Sequence, residues 1–293
     1  MNENHTENGS GQVTYRRVSP ARGSKWINEA FAVFRSSLGA WFGIVAFIML
    51  LLLIPVINNV VTLLMPIGIG GLMIGCKQAS KTSPLKFEHL FAGIQSNGKE
   101  LLILSAIYTV ASIGIMLASY WILLLLGVDF SEILPENIDQ MTNVQLIEWM
   151  KTLDQTKLLP MLLLGILIWM ALMIPLIMAY WFAPALVVLN KISSIDSLKL
   201  SFAACKDNFL PFLLYGLVGF AYLMAFFVAL SISAVIAPPL AIVVMIGGYL
   251  AIFAITLASI YTSYIDIFDQ QRSNSLDGNK GETDSETNSS MIA

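Results

Sequence analysis

A chain of 293 residues that is 57% hydrophobic and only 12% charged lies far from the composition of a soluble domain. Such domains run at about 45–50% apolar and about 25% charged, and the mean hydropathy of +0.75 departs in the same direction. A water-soluble globule of this size has no interior large enough to hide that surface, so lipid is the solvent for most of the chain. The pI near 5.4 and net charge of −3 further exclude a nucleic-acid-binding protein, and the composition excludes a soluble enzyme and a secreted disulfide scaffold.

Residues 1–19 are rich in Asn, Glu, Gly and Ser and read as a disordered tail. Residues 1–24 contain no apolar run of the signal-peptide kind, so insertion is expected through the first membrane helix. Charged residues are absent from Ser36 to Cys76, Leu101 to Val128, Leu158 to Asn190 and Asn208 to Ile265. A spanning helix needs about 20 apolar residues. The first gap, 41 residues long, therefore predicts two helices turning at Pro55 and Asn58–Asn59. The second predicts one helix over 101–127. The third predicts a helix over 159–189 interrupted by Pro175 and Pro184. The fourth, 58 residues long, predicts two helices parted at Ala237-Pro238-Pro239. The sum is a membrane domain over 20–268 with six transmembrane helices, and a second disordered tail over 269–293.

Lysine and arginine orient it. Fourteen of the sixteen basic residues fall on one side of the six-helix map, and only Lys151 and Lys157 fall on the other, in the acidic loop 127–157. Both termini are therefore expected in the cytoplasm. In that loop Asn143 is expected to cap a short helix, with Leu146, Met150 and Leu153 on one side, forming a lid over the outer face.

Three basic segments share a pattern: Phe31-Ala32 with Arg35-Ser36-Ser37, Phe91-Ala92 with Gln95-Ser96-Asn97, and Phe202-Ala203 with Lys206-Asp207-Asn208. Each directly precedes a membrane helix, which predicts an all-α fold of three repeats, each an amphipathic interfacial helix followed by a transmembrane hairpin. Start signals are Ser24, Ser83 with Pro84, and Ser193 with Asp196 three residues on. An apolar stripe opposite basic residues suits a helix lying in the headgroup plane. Packing of these helices on the bundle is the alternative. The expected interfacial anchors are Trp26, Phe31, Phe34, Phe87, Phe91 and Phe202. The expected contacts to anionic phospholipid headgroups are Lys25, Arg35, Lys86, Lys199 and Lys206.

Catalytic chemistry is sparse. The drawn spans hold no ionisable side chain, which argues against ion-coupled transport and intramembrane proteolysis. Cys76 and Cys205 have no CxxC spacing and read as small buried hydrophobes. His5 and His89 make no ligand set, and His89 is expected solvated near the headgroups. No catalytic residue, metal or cofactor is expected. Gly71 and Gly75 form a small-xxx-small pair suited to close helix packing. Ser105, Thr109, Ser112 and Ser119 share a face on the third helix that could line a polar path, though hydroxyls in membrane helices more often bond across helices or to their own backbone.

The run from Val18 to Trp26 into Phe31, Phe34 and Arg35, with Leu90-Phe91-Ala92-Gly93 at the second repeat, resembles a family of uncharacterised bacterial inner-membrane proteins. That family is similar in layout to the membrane domain of some glycerophosphodiester phosphodiesterases. The resemblance implies a six-helix inner-membrane protein with no established activity, and the chain has no soluble domain for the phosphodiesterase's metal ligands. The expected function is non-catalytic organisation of lipid or partner proteins at the cytoplasmic leaflet. Passive or lipid-handling transport is the alternative, and a homo-oligomer or another membrane protein stays open as partner.

Overall fold

The computed structural model describes residues 13–80, 83–128, 140–152 and 155–269, and every regular element among them is helical. The chain divides into two compact units, one from residues 1–105 and 179–293, the other from 106–178. Among the described residues, five helical stretches are long and apolar enough to cross a membrane: Pro55–Ala79, Phe87–Leu125, Leu158–Leu189, Phe209–Ile236 and Pro238–Phe268. A sixth candidate is a bent pair, Arg22–Ser36 with Leu38–Leu52.

In the first unit, α1 (Arg22–Ser36) and α2 (Leu38–Leu52) meet at 98° across Ser37, whose φ of −148° and ψ of 46° leave the helical region. Helix α1 starts at Arg22, two residues before Ser24, because Ser24 bonds back to the Ala21 carbonyl from within the first turn. The turn after α2 falls at Leu53–Ile54. Pro55 opens α3 (Pro55–Ala79) at a first-turn position that needs no amide donor. Asn58 and Asn59 thus lie inside α3 rather than in the turn, and Asn58 Nδ2 donates back to the Leu52 carbonyl at 3.0 Å.

A 3₁₀ turn (Phe87–Phe91) leads into α4 (Ala92–Leu125), which kinks at Asn97 (φ −157°, ψ 49°). After α6 (Gln155–Trp181), the third charge-free gap breaks at Phe182, and α7 (Ala183–Leu189) carries Pro184 in its first turn. Pro175 lies within α6 without ending it. Helix α8 (Ser194–Asp207) is capped by Ser193, whose hydroxyl accepts from the Asp196 amide, as the sequence implies. Asn208 breaks the path into α9 (Phe209–Ile236), and extended Ala237 parts α9 from α10 (Pro238–Phe268). Ser37, Asn97 and Asn208 each stand six residues after Phe31, Phe91 and Phe202, so all three helix breaks share one place in the repeated pattern.

The core of this unit is aromatic. Trp26 packs on Phe212 at 5.1 Å between ring centroids, Trp181 on Phe212 and Tyr215, and Phe182 on Phe268 at 5.2 Å. Offset and edge-on pairs of this kind add about 0.5–1.5 kcal/mol each beyond area burial. Glycine permits two close crossings. A Cβ at Gly23 would collide with the Pro211 carbonyl of α9, and one at Gly71 with the His89 carbonyl of the 3₁₀ turn.

The second unit holds the C-terminal part of α4, most of α6, and α5 (Asn143–Thr152). Helix α4 ends in a Schellman motif: Gly127 takes a φ of 81°, its amide bonds to Leu124 O, and the Val128 amide bonds to Leu123 O. A Cβ added at Gly165 of α6 would come to 3.4 Å from Leu123 Cδ1 of α4, an ordinary van der Waals distance. The α5 start is a capping box between Thr142 and Gln145 rather than an Asn143 cap: Gln145 Oε1 accepts from the Thr142 amide at 2.8 Å while Thr142 Oγ1 accepts from the Gln145 amide. No described α5 residue is buried, and Leu153 lies outside the described residues, as do residues 129–139 of the loop. Ser105 and Ser119 bond their hydroxyls to carbonyls four residues back.

Candidate functional site

The expected anchors divide into two groups. Phe87, Phe91 and Phe202 are exposed, beside exposed Ile94 and Ile195. Trp26 and Phe34 are buried, Trp26 completely, so these two do not reach lipid. The reason lies in the register of α1. Its Trp26, Ile27, Ala30 and Phe34 stripe packs against α9 and α10, and only Phe31 stays at the edge, half-buried, 5.6 Å from Tyr222. The first amphipathic helix is thus built into the bundle, while the other two leave their aromatic rings outside.

Trp26 has a further task. Its Nε1–H donates to Asp266 Oδ2 at 2.8 Å, and Asp266 is 1% exposed near the end of α10. Arg22 Nε donates to the same oxygen at 2.5 Å and Arg16 Nη2 to Oδ1 at 3.0 Å, while Arg16 Nε donates to the Asp266 carbonyl at 2.7 Å. A buried carboxylate with this many donors is stable where an unpaired one would not be. The sequence reading passed over Asp266 because it falls one residue beyond the last charge-free gap. The available signal was the pair Arg16 and Arg22, ahead of a helix with few carboxylates nearby.

The same contacts order residues 13–19, which the sequence assigns to the tail. Val18 N donates to Asn208 Oδ1, Asn208 Nδ2 donates to Arg16 O, and Tyr15 OH donates to Asp207 at 2.9 Å. Burial and this bond to Asp207 push the Tyr15 hydroxyl above its usual range. Residues 1–12 and 270–293 lie outside the described residues.

The five expected headgroup contacts, Lys25, Arg35, Lys86, Lys199 and Lys206, are all exposed. Lys86 pairs with Glu88 at 3.4 Å, both well exposed, and Arg35 sits over the Phe31 ring at 5.8 Å. Such a surface ion pair holds its lysine loosely, at about 0–1 kcal/mol. His89 departs from expectation: it is buried, its Nδ1 accepts from the Lys86 amide, and Nε2–H therefore donates to Gln78 Oε1 at 2.9 Å. Gly71 and Gly75 serve this contact. A Cβ at Gly75 would stand 2.5 Å from Leu85 Cδ1 and 2.8 Å from His89 Cβ, and one at Gly71 3.1 Å from Gly93 N, so the glycine face of α3 receives the 3₁₀ turn and the start of α4. Cys76 and Cys205 are buried free thiols, and burial pushes Cys205 up to about 12.

A vestibule of about 640 Å³ opens where α1, α3, α7 and α10 end. Glu29, Lys77, Asn190 and Asp269 line it, with Tyr264 OH donating to Asn190 Oδ1 at 2.5 Å and Ser80 bonded to Tyr261 at 3.1 Å.

Long apolar helices whose outer faces are exposed Leu, Ile, Val and Phe, joined to an end that gathers arginine, lysine and buried polar bonds, define a multi-pass integral membrane protein. Over 271 residues the chain is 25% identical to a Burkholderia thailandensis protein named a probable inner membrane protein, covering 87% of this chain and 93% of that one. No protein-family model matches the chain, and no solved structure does.

Proposed function

We propose that this is a non-catalytic inner-membrane protein that gathers anionic phospholipid, or a partner sharing that surface, on a collar of short helices at its cytoplasmic end. The observation that carries the reading is the exposure of Lys25, Arg35, Lys86, Lys199 and Lys206 in the same unit as the exposed rings of Phe87, Phe91 and Phe202. Basic residues near an anionic leaflet contribute about 1 kcal/mol each, and exposed aromatics settle at the headgroup level. The inner membrane is the compartment named for the Burkholderia relative, and the fourteen-to-two division of basic residues supports an orientation with both termini inside.

Six spans in three repeats is the reading obtained by counting α1–α2 as the first broken span. Two features support it: the shared position of the breaks, and the bonds made by the break residues. Ser37 Oγ accepts from the Leu85 amide ahead of the second repeat, Asn97 Nδ2 donates to Val187 O ahead of the third, and Asn208 holds Arg16 and Val18 ahead of the first.

The test replaces Lys86, Lys199 and Lys206 together with Gln and measures phosphatidylglycerol and cardiolipin retained by the purified protein. Retention is expected to fall, and to fall in the parent as salt rises, since screening sets in over about 8 Å at physiological ionic strength. Unchanged retention in a folded triple variant overturns the reading. The vestibule favours a second reading, passive transport, which would then lead: its polar lining is suited to a small polar solute.

A further inference from the structure

Among the described residues, a polar pocket and an apolar crevice adjoin at Phe31 and Tyr222. The polar one, about 340 Å³, is lined by Asn28, Phe31, Ala32, Arg35 and Tyr222. The apolar one, about 90 Å³, runs between α1, α9 and α10, and Phe31 and Tyr222 line both. We infer that this composite site holds one anionic phospholipid molecule, its phosphate on Arg35 and Asn28 and part of one acyl chain in the crevice beside Gly219. The inference rests on the lipid-gathering reading and assigns it a particular site.

The two ends differ in chemistry as an amphiphile requires. At the polar end, among the described residues, Arg35 has no carboxylate partner, and the side chains of Asn28 and Tyr222 make no hydrogen bond. A guanidinium fork matches phosphate oxygens in bidentate geometry, which an ammonium does not. Its contact with the Phe31 face leaves the outer N–H groups free while fixing the side chain at the mouth of the crevice. Deeper in, the wall is apolar in effect. Ile27, Leu223, Ile252 and Ile255 supply hydrocarbon, and the hydroxyls are already used: Tyr215 OH bonds to Ser259 at 2.7 Å and Thr256 to the Ile252 carbonyl at 2.8 Å. Water deep in such a crevice, beyond Tyr222, would find few partners, whereas the exposed apolar faces of α9 and α10 open it to lipid chains.

Gly219 gives a clean perturbation. A Cβ there meets nothing within 4 Å, so a leucine enters open space instead of displacing backbone. The experiment is native mass spectrometry of the full chain in mild detergent, titrated with phosphatidylglycerol. Arg35→Gln and Gly219→Leu are each expected to remove one bound phosphatidylglycerol per chain, weakening that step about tenfold, the factor expected for loss of a charge-assisted contact. Arg35→Lys, which keeps charge and loses the fork, should fall between. Glycerophosphoglycerol, the headgroup without chains, should not displace the lipid. Loss in Arg35→Gln with full binding in Gly219→Leu, or displacement by the chainless headgroup, would show a phosphate site without a chain and overturn the proposal. So would full binding in both variants. The Lys86, Lys199 and Lys206 triple variant keeps this site intact, so its lipid loss reports on the collar alone and separates failure of the collar from failure of the site.

Discussion

Asp266→Ala tests the ionic cluster at the end of α10. The substitution strips the acceptor from Arg16 Nη2, Arg22 Nε and Trp26 Nε1, which now approach it at 3.0, 2.5 and 2.8 Å. Breaking a buried pair by removing one partner costs about 3–5 kcal/mol, because the remaining charge is left buried. The two arginine side chains are 32% and 18% exposed and keep a route to water, so the lower end, about 3 kcal/mol, is expected. At roughly 2–4 °C per kcal/mol for a chain of this order, the melting temperature should fall by roughly 6–12 °C. The assay is a thermal melt of the detergent-purified protein followed by tryptophan emission, to which Trp26 contributes directly. The control is Arg17→Gln. Its pair with Asp207 is 3.3 Å long, but the Arg17 side chain is 75% exposed, so its loss should cost under about 0.5 kcal/mol. If Asp266→Ala melts within 2 °C (about) of Arg17→Gln, the cluster does not hold the N-terminal segment to α10 and the reasoning fails.

Gly71→Ala should lower stability by about 1–3 kcal/mol in the same assay, since even one methyl meets the His89 carbonyl, while Gly219→Ala, in open space, should be near neutral. Cys205, buried and pushed up to about 12, remains a thiol at neutral pH, so maleimide should label neither Cys205 nor buried Cys76 in folded protein at pH 7–8 (about), and both after unfolding. Reporter fusions after Gln270 and within residues 140–152 should read cytoplasm and exterior respectively; a C-terminal reporter outside the cell would reject the orientation drawn from lysine and arginine.

Local signals in the chain determined the solvent, the class and most span boundaries. Hydropathy and missing charge are properties of consecutive residues, so the break at Ala237–Pro238, the Ser193 cap and the end of α4 near Gly127 follow from short windows of sequence. Proline position was harder to read: Pro175 stays inside a helix, and the break falls at Phe182, where the first turn of α7 accommodates Pro184. Tertiary structure alone decided which amphipathic face turns inward. Trp26 and Phe91 look alike as aromatic residues on a basic helix, yet one is sealed against Asp266, 240 positions away, and the other stays exposed. Gly71 likewise reads as a helix-packing glycine, and the fold decides what it packs on: the His89 and Leu90 carbonyls of the 3₁₀ turn and Gly93 at the start of α4. The physical reason is common to these cases: burial and hydrogen bonding depend on what lies opposite a side chain, and in this protein the opposite residue is often 190 or more positions distant.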